Sequence, residues 1–282
     1  MRIGRFQIEQ LSEGIFDVYT GGVITKIDAH DITSPPEMDR SRHSATTIGI
    51  NPILIRDGKQ VVIIDTGLGW GLDHKSEYED TSNLITNLDI FGISPSDVTH
   101  VVLSHLHFDH AAGSTYVDES SSTQPTLPNA NYFLQKKEWH YALQQLGEPA
   151  KKLEAGYKMD EMYKLAADDK LVMITDTSFE LLPGIELIRT GGHTPGHQIV
   201  KIYDSGEYAY FLGDLIPSEH QLNYSIQQMH VDPLQSKKAK TLILKQALKE
   251  KAYLLFYHSI HVKAGRLERT KNKKFGLKEI KP

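Results

Sequence analysis

Four metal-ligand side chains fall within six residues at His105-Leu106-His107-Phe108-Asp109-His110. Imidazole nitrogen and carboxylate oxygen at this density suit Zn(II), Mn(II), Fe(II) or Co(II) better than Ca(II) or Mg(II), which take oxygen ligands. Packing offers no reason for such a cluster. Isolated histidines are mostly structural, but three this close repel one another once protonated. The chemistry open to the set is activation of water, because a bound divalent cation lowers the pKa of water from about 15.7 to about 7.

The elements around the motif must bring those donors together. Residues 98–103 form a short, apolar, β-branched run that reads as a buried strand. In extended chain His105 and His107 project to the same side and reach one cation. Asp109 and His110 come where the chain turns before Ala111-Ala112-Gly113, which lets them face a second cation. Other strand-like runs end in the same residue types. Residues 60–65 end in Asp65-Thr66-Gly67, 185–190 lead into Gly191-Gly192-His193-Thr194-Pro195-Gly196-His197, 208–212 end in Gly213-Asp214, and 253–257, taken as the last strand, end in His258. Strand ends that repeatedly carry His or Asp open on one edge of a sheet, where sites are built on loops.

The remaining elements follow from periodicity and turn chemistry. Residues 6–18 read as a strand with a turn at 12–14, and 47–56 with 60–65 as a hairpin across Asp57-Gly58. Residues 83–91 read as a helix stopped by Gly92, 114–126 as a polar loop, 131–134 and 198–203 as strands, and 179–182 as another. Helical spacing covers 136–146, 151–165 and 233–250, with Trp139, Ala142, Leu143 and Leu146 on one apolar face. The stretch 20–45, with Gly21-Gly22 and Pro35-Pro36, is long enough for a lid, a pocket wall or a surface excursion.

Composition narrows the functional classes. The chain has 282 residues, a net charge of -5 and a pI near 6.3, with no basic stripe to recruit nucleic acid. It has no cysteine, which removes disulfides, iron–sulfur clusters, thiolate zinc sites and cysteine nucleophiles together. No apolar run reaches the roughly 18 residues of a membrane span, and the first residues lack the apolar core of a signal peptide. The expectation is a cytoplasmic protein forming one domain over residues 1–282, with no linker-like stretch to divide it.

These motifs resemble the metallo-β-lactamase fold hydrolases, whose His-x-His-x-Asp-His signature corresponds to residues 105–110. The family's second motif matches Gly192-His193-Thr194-Pro195-Gly196-His197, its bridging aspartate matches Asp214, its last histidine matches His258, and Asp65-Thr66-Gly67 resembles its strand-end turn. The resemblance runs in order along nearly the whole chain. It implies an α/β protein, a four-layer αββα sandwich with two divalent metal ions at one edge. Zinc is the first choice, with manganese, iron or cobalt as alternatives. His105, His107 and His193 would hold one ion, Asp109, His110 and His258 the other, with Asp214 bridging. His261 competes with His258 for the last place. His197 would pack behind the site, Asp65 would support a metal-bound His, and His43 and His230 stand within reach of a pocket.

Phe108, Gly21-Gly22 and Val231-Asp232-Pro233 make the chain similar to the branch of quorum-quenching lactonases and methyl parathion hydrolases. The resemblance implies that a metal-bridging hydroxide opens an ester or lactone of a small molecule, with Asp109 as the catalytic residue that orients the nucleophile and passes its proton to the leaving alkoxide. The lactonases that this chain resembles place a tyrosine three residues after the bridging aspartate to polarise the lactone carbonyl, where Pro217 stands; here Tyr224 or a metal would supply that electrophile. The rivals are a mononuclear iron persulfide dioxygenase-like oxidoreductase and a phosphotriester or phosphodiester hydrolase. The partners expected are a small-molecule ester or lactone, no nucleic acid and no membrane, with a homodimer as an option.

Overall fold

Side chains alternate between two faces along each central strand, as period-2 chain requires, and both faces are apolar. In Val61–Ile64, Val62 and Ile64 enter one core cluster while Ile63 enters another; Val101 and Val102 divide in the same way. Strands buried on both faces need a layer on each side. The computed structural model supplies those layers, and it describes residues 1–18, 24–27, 46–78, 81–146, 156–157, 159–224 and 229–281.

Two seven-stranded sheets form the middle. The first runs Arg2–Ile3, Phe6–Gln10, Ile53–Arg56, Val61–Ile64, His100–Val102, Asn131–Gln135 and Leu171–Ile174. The second runs Ser178–Leu182, Ile185–Arg189, Gln198–Asp204, Glu207–Phe211, Tyr253–Leu255, Ala264–Arg269 and Phe275–Lys281. Ile55, Ile64 and Val102 of the first sheet meet Leu187, Val200, Ile202 and Phe211 of the second in one buried cluster. On the outer face of the first sheet, Leu54, Ile63 and Val101 pack on the helices Leu84–Ile90, Lys136–Leu146 and Met159–Ala167. On the outer face of the second, Ile199, Tyr210 and Leu254 pack on Ala239, Leu244 and Ala247 of the helix Pro233–Lys249. Helix, sheet, sheet, helix is the expected four-layer αββα order.

Local chemistry sets the element ends. Asn83 caps its helix by accepting the Thr86 N–H at 3.1 Å, and Gly92 follows with φ +65°, a left-handed stop that glycine tolerates. Asp232 caps Pro233–Lys249 by accepting the Gln235 N–H at 2.9 Å, with Pro233 in the first helical turn. Ile53–Arg56 and Val61–Ile64 form the expected hairpin through Asp57-Gly58.

Several sequence expectations need correction. The 6–18 run is two strands, Phe6–Gln10 and Gly14–Val18, which lie in different sheets; Gly14–Val18 joins a three-stranded sheet with Ile24–Ile27 and Thr46–Ile50. The 47–56 run likewise breaks at Asn51-Pro52, since proline has no N–H for a ladder. The 114–126 loop contains a hairpin of Thr115–Val117 with Thr123–Pro125. Residues 253–257 do not form the last strand: Ala264–Arg269 and Phe275–Lys281 follow, and their many charged residues on a half-exposed edge hid them. Of the 151–165 helix, residues 151–155 lie outside the described residues, as do Gly21, Gly22, His30, Pro35, Pro36 and His43; the helix described there is Met159–Ala167. Among the described residues, no helix is long and apolar enough to cross a membrane.

Candidate metal centre

Parallel pairing brings the ligand-bearing strand ends to one edge. Val61–Ile64 lies parallel to His100–Val102, so Asp65 and the stretch 104–110 leave the first sheet on the same side. Glu207–Phe211 lies parallel to Tyr253–Leu255, and Ile185–Arg189 runs in their direction through two antiparallel pairings, so His193, Asp214 and His258 leave the second sheet together. Gln198 closes the two edges on each other: its backbone N–H donates to Ser104 O at 2.9 Å and its side-chain amide to Leu103 O at 2.8 Å.

All seven expected ligands converge. His107 Nδ1 lies 2.9 Å from His105 Nε2 and 3.1 Å from His193 Nε2. His110 Nε2 and His258 Nε2 face each other at 3.2 Å, and Asp109 Oδ2 stands 3.8 Å from the first and 3.5 Å from the second. Asp214 spans both groups, with Oδ2 at 3.3 Å from His193 Nε2 and Oδ1 at 3.4 and 3.3 Å from His110 and His258. The donor atoms of each trio, His105-His107-His193 and Asp109-His110-His258, lie within 4.8 Å of one another, the span of atoms that can share an ion. The exposed His261 belongs to no such group among the described residues.

The electrostatics suit cations. Burial pulls His105 and His193 far below the usual imidazole range, and it also lowers His107, which leaves neutral ring nitrogens of the kind that ligate. Burial opposes charge on His110 and His258 as well, but the carboxylates of Asp109 and Asp214 outweigh it and raise both. Burial would raise Asp214, yet His258, His110 and His193 hold it well below the carboxylate range. The centre favours positive charge in its middle. Buried Asp214 Oδ1 has no hydrogen-bond partner among the described residues, and such an atom is costly unless something binds it. A nitrogen and oxygen donor set of this density fits two divalent cations.

Surrounding groups fix the ligands. Asp65, in the left-handed region at φ +58°, places Oδ2 2.8 Å from His110 Nδ1 and accepts the Ser104 N–H and O–H, each at 2.7 Å. A non-glycine residue held at such φ is a strained conformation often found at functional sites. His197 is buried behind Asp214: its Nε2 accepts the Asp214 N–H at 3.0 Å, its Nδ1 lies 2.7 Å from Thr190 Oγ1, and burial pushes it down to about 3, consistent with a neutral acceptor. His258 is set by its own N–H donating to Pro217 O at 2.9 Å and by Nδ1 at 2.9 Å from Gly49 O. Pro217 thus contributes its backbone carbonyl to the site. Tyr224 is largely exposed and lines a neighbouring cleft.

Three supports carried no sequence signal. Buried Glu138, on the helix Lys136–Leu146, accepts from the Leu106 N–H at 3.1 Å, the Thr194 O–H at 2.6 Å and the Gly196 N–H at 3.1 Å, joining the two ligand loops. Tyr157 pairs with His107 by a backbone bridge and reaches Glu138 through its hydroxyl at 3.4 Å. Tyr257 stacks on His110, ring centroids 4.1 Å apart, and donates to Asp109 O at 2.6 Å. Helical periodicity marks the face of Lys136–Leu146 but not that a carboxylate on it is buried. The continuous apolar run 253–257 names Tyr257 only as core.

Known proteins were compared with this architecture. Residues 45–258 match the family model described as the Metallo-beta-lactamase superfamily. An N-acyl homoserine lactonase of Bacillus cereus is 24% identical over 155 residues, 50% of this chain and 53% of the relative. The N-acyl homoserine lactonase AttM of Rhizobium radiobacter is 28% identical over 117 residues, 40% of this chain and 39% of the relative. The matched stretch spans about half or less of these curated relatives. A probable metal-dependent hydrolase from Staphylococcus aureus superposes with a TM-score of 0.75 at 24% identity, covering 99% of both chains. AidC, a dizinc quorum-quenching lactonase, gives 0.72 at 21% identity over 100% of this chain and 96% of its own. At these identities the solved structures show the fold alone. The family match covers most of the chain and includes every expected ligand, so the chain belongs to the metallo-beta-lactamase superfamily.

Proposed function

We propose that the protein is a dinuclear metal-dependent hydrolase that opens an ester or lactone of a small molecule. His105, His107 and His193 would hold one divalent cation and Asp109, His110 and His258 the other, with Asp214 offering one oxygen to each; zinc is the proposed ion. When bound, such a pair makes hydroxide available near neutral pH and polarises a carbonyl oxygen. One arrangement carries the proposal. The two oxygens of Asp214 divide between the two nitrogen sets at 3.3 to 3.4 Å, an arrangement that suits a carboxylate shared by two cations.

The chain's own residues then have separate tasks. Asp109 is the partly exposed carboxylate at the centre, and it orients the attacking water, takes its proton and passes it to the leaving alkoxide. Tyr257 restrains it through the bond to its backbone carbonyl. Asp65 and His197 keep His110 and Asp214 in place from behind. Because the ligands come from both sheets, the whole chain is proposed to act as one catalytic unit.

Support from relatives is consistent with this class, since the similar proteins of Bacillus cereus and Rhizobium radiobacter are named N-acyl homoserine lactonases. The test is elemental analysis of the purified protein together with turnover of a panel of lactones, aryl esters and phosphotriesters. Two zinc or manganese ions per chain with lactone or ester turnover is the expected result. One iron per chain with oxygen consumption would overturn it in favour of a redox enzyme.

A further inference from the structure

A cleft of about 540 Å³ lies between residues 233–245 of the helix Pro233–Lys249, residues 222–224 and the C-terminal hairpin, and His230 in its lining packs against His193 of the metal centre. Among the described residues its charged lining is entirely cationic: Lys237, Lys240, Lys245, Arg269, Lys273 and Lys274, with no carboxylate. Yet the chain as a whole carries a net charge of -5. A cationic concavity on an acidic protein is not an average of its surface, and facing walls of one sign focus the field between them. Among the described residues, Lys237, Lys245, Arg269, Lys273 and Lys274 form no ion pair with a carboxylate.

The walls are built, not merely adjacent. The Phe275 N–H donates to Asn223 Oδ1 at 2.9 Å and the Asn223 amide returns a bond to Phe275 O at 2.9 Å, joining the hairpin to the 222–224 segment. The Arg269 guanidinium stacks over the Phe275 ring at 3.9 Å and donates to Lys273 O at 2.6 Å, which holds it against the hairpin turn. Lys240 is buried in the lining, donating to Gln221 O and, at 2.6 Å, to Tyr224 O. Burial draws its ammonium down to about 8, so it stays largely charged at neutral pH.

His230 connects this cleft to the metal centre. It lines the cleft, is only 9% exposed, and neither ring nitrogen has a hydrogen-bond partner among the described residues. Its ring stands edge-on to His193 with centroids 5.5 Å apart, and the next N–H along the chain, that of Val231, donates to His193 O at 3.0 Å. A buried polar ring without partners costs free energy unless a ligand supplies them.

We propose that this cleft anchors an anionic group, a carboxylate or phosphate, on the substrate whose ester or lactone bond is opened at the His and Asp centre, with His230 contacting the polar stretch between the two ends. The substrate class is therefore an anionic ester or lactone, not a purely alkyl one; this rests on the hydrolase assignment for the centre and extends it.

The test uses the metal-loaded protein and two aryl esters of equal length, 4-nitrophenyl hexanoate and the mono-4-nitrophenyl ester of glutaric acid. The anionic ester should show a KM at least tenfold lower, with the difference shrinking as ionic strength rises. In Lys273→Glu/Lys274→Glu the tenfold preference should collapse to near one. Separately, glutarate and inorganic phosphate are titrated calorimetrically into both proteins. Binding lost in the double variant assigns the site to the cleft, and whichever anion binds distinguishes a carboxylate from a phosphate. Turnover of the neutral ester without preference for the anionic one overturns the cleft and leaves the hydrolase standing. If neither ester turns over, the hydrolase assignment fails, and loss of anion binding in the double variant still decides the cleft. Anion binding that is absent, or equal in both proteins, overturns it.

Discussion

Asp65 Oδ2 lies 2.8 Å from His110 Nδ1 while Oδ1 of the same carboxylate accepts the Ser104 N–H at 2.7 Å. One side chain therefore sets both the ring orientation of a candidate ligand and the start of the loop that carries three others. Removing such a support from a metal-bound histidine typically lowers metal affinity 10 to 100-fold, so roughly that loss is expected for Asp65→Ala. Competition with a chromophoric chelator measures it; unchanged affinity would remove Asp65 from this role.

Glu138 is predicted to hold the fold of the site more than its chemistry. Glu138→Ala would leave the Leu106 and Gly196 N–H groups and the Thr194 hydroxyl without an acceptor in a buried setting. At about 1 to 3 kcal/mol for a stranded group, a loss of about 3 kcal/mol in unfolding free energy is expected. Glu138→Gln keeps one oxygen and should lose less. Urea denaturation of the three proteins gives the order.

Asp109→Asn tests the proton-transfer role. The amide keeps the shape and one oxygen but cannot take up the proton of the attacking water. A rate lower by about a hundredfold or more is expected, with two ions per chain still found by elemental analysis. Full turnover in this variant would leave Asp109 as a ligand only.

Glu13 carries a pH dependence that lies outside the metal centre. Burial raises its carboxyl from the ordinary 4.5 to about 8, although the Leu68 N–H donates to it at 2.7 Å. Between those two values the folded chain holds a proton that the unfolded chain has released, so stability falls as pH rises from about 4.5 to about 8. Glu13→Gln removes the cost of ionisation and keeps an acceptor for Leu68. The gap in melting temperature between variant and parent should widen over that window, reaching a few kcal/mol of stability at its upper end. A gap that does not change with pH would show that the carboxyl titrates normally.

Chelation should destabilise the protein, because ligands from both sheets would share the ions. A ligand present at about 1,000 times its dissociation constant stabilises by about 4 kcal/mol. Treatment with a strong chelator should lower the melting temperature by several degrees, and added zinc should restore it. No shift would mean that the donors are held in place by packing alone.

The convergence of the candidate ligands was legible because their spacing is chemical. His105, His107, Asp109 and His110 stand together in the chain, and His193, Asp214 and His258 each follow a strand-like run, so residue type and position carry the information. The hairpin at Asp57-Gly58 and the helix Lys136–Leu146 were legible for the same reason, one through turn chemistry and the other through an apolar face. The strands Ala264–Arg269 and Phe275–Lys281 were not, since the first carries Leu267 as its single large apolar side chain and in the second Glu279 interrupts the alternation begun by Phe275 and Leu277. Glu138 and the cationic cleft were also hidden. Their meaning depends on which distant segments meet, and single-sequence periodicity does not record that.

The seven converging side chains reach the site from opposite sheets, and their chain positions give that division a consequence during synthesis. The stretch 104–110 leaves the ribosome long before residues 193, 214 and 258 exist. On the proposed ligand set, a nascent chain offers a partial, open coordination pocket while the second sheet is still unmade. Any cation captured then has an incomplete cage and can exchange, so selection of the resident ion waits for His258 to arrive.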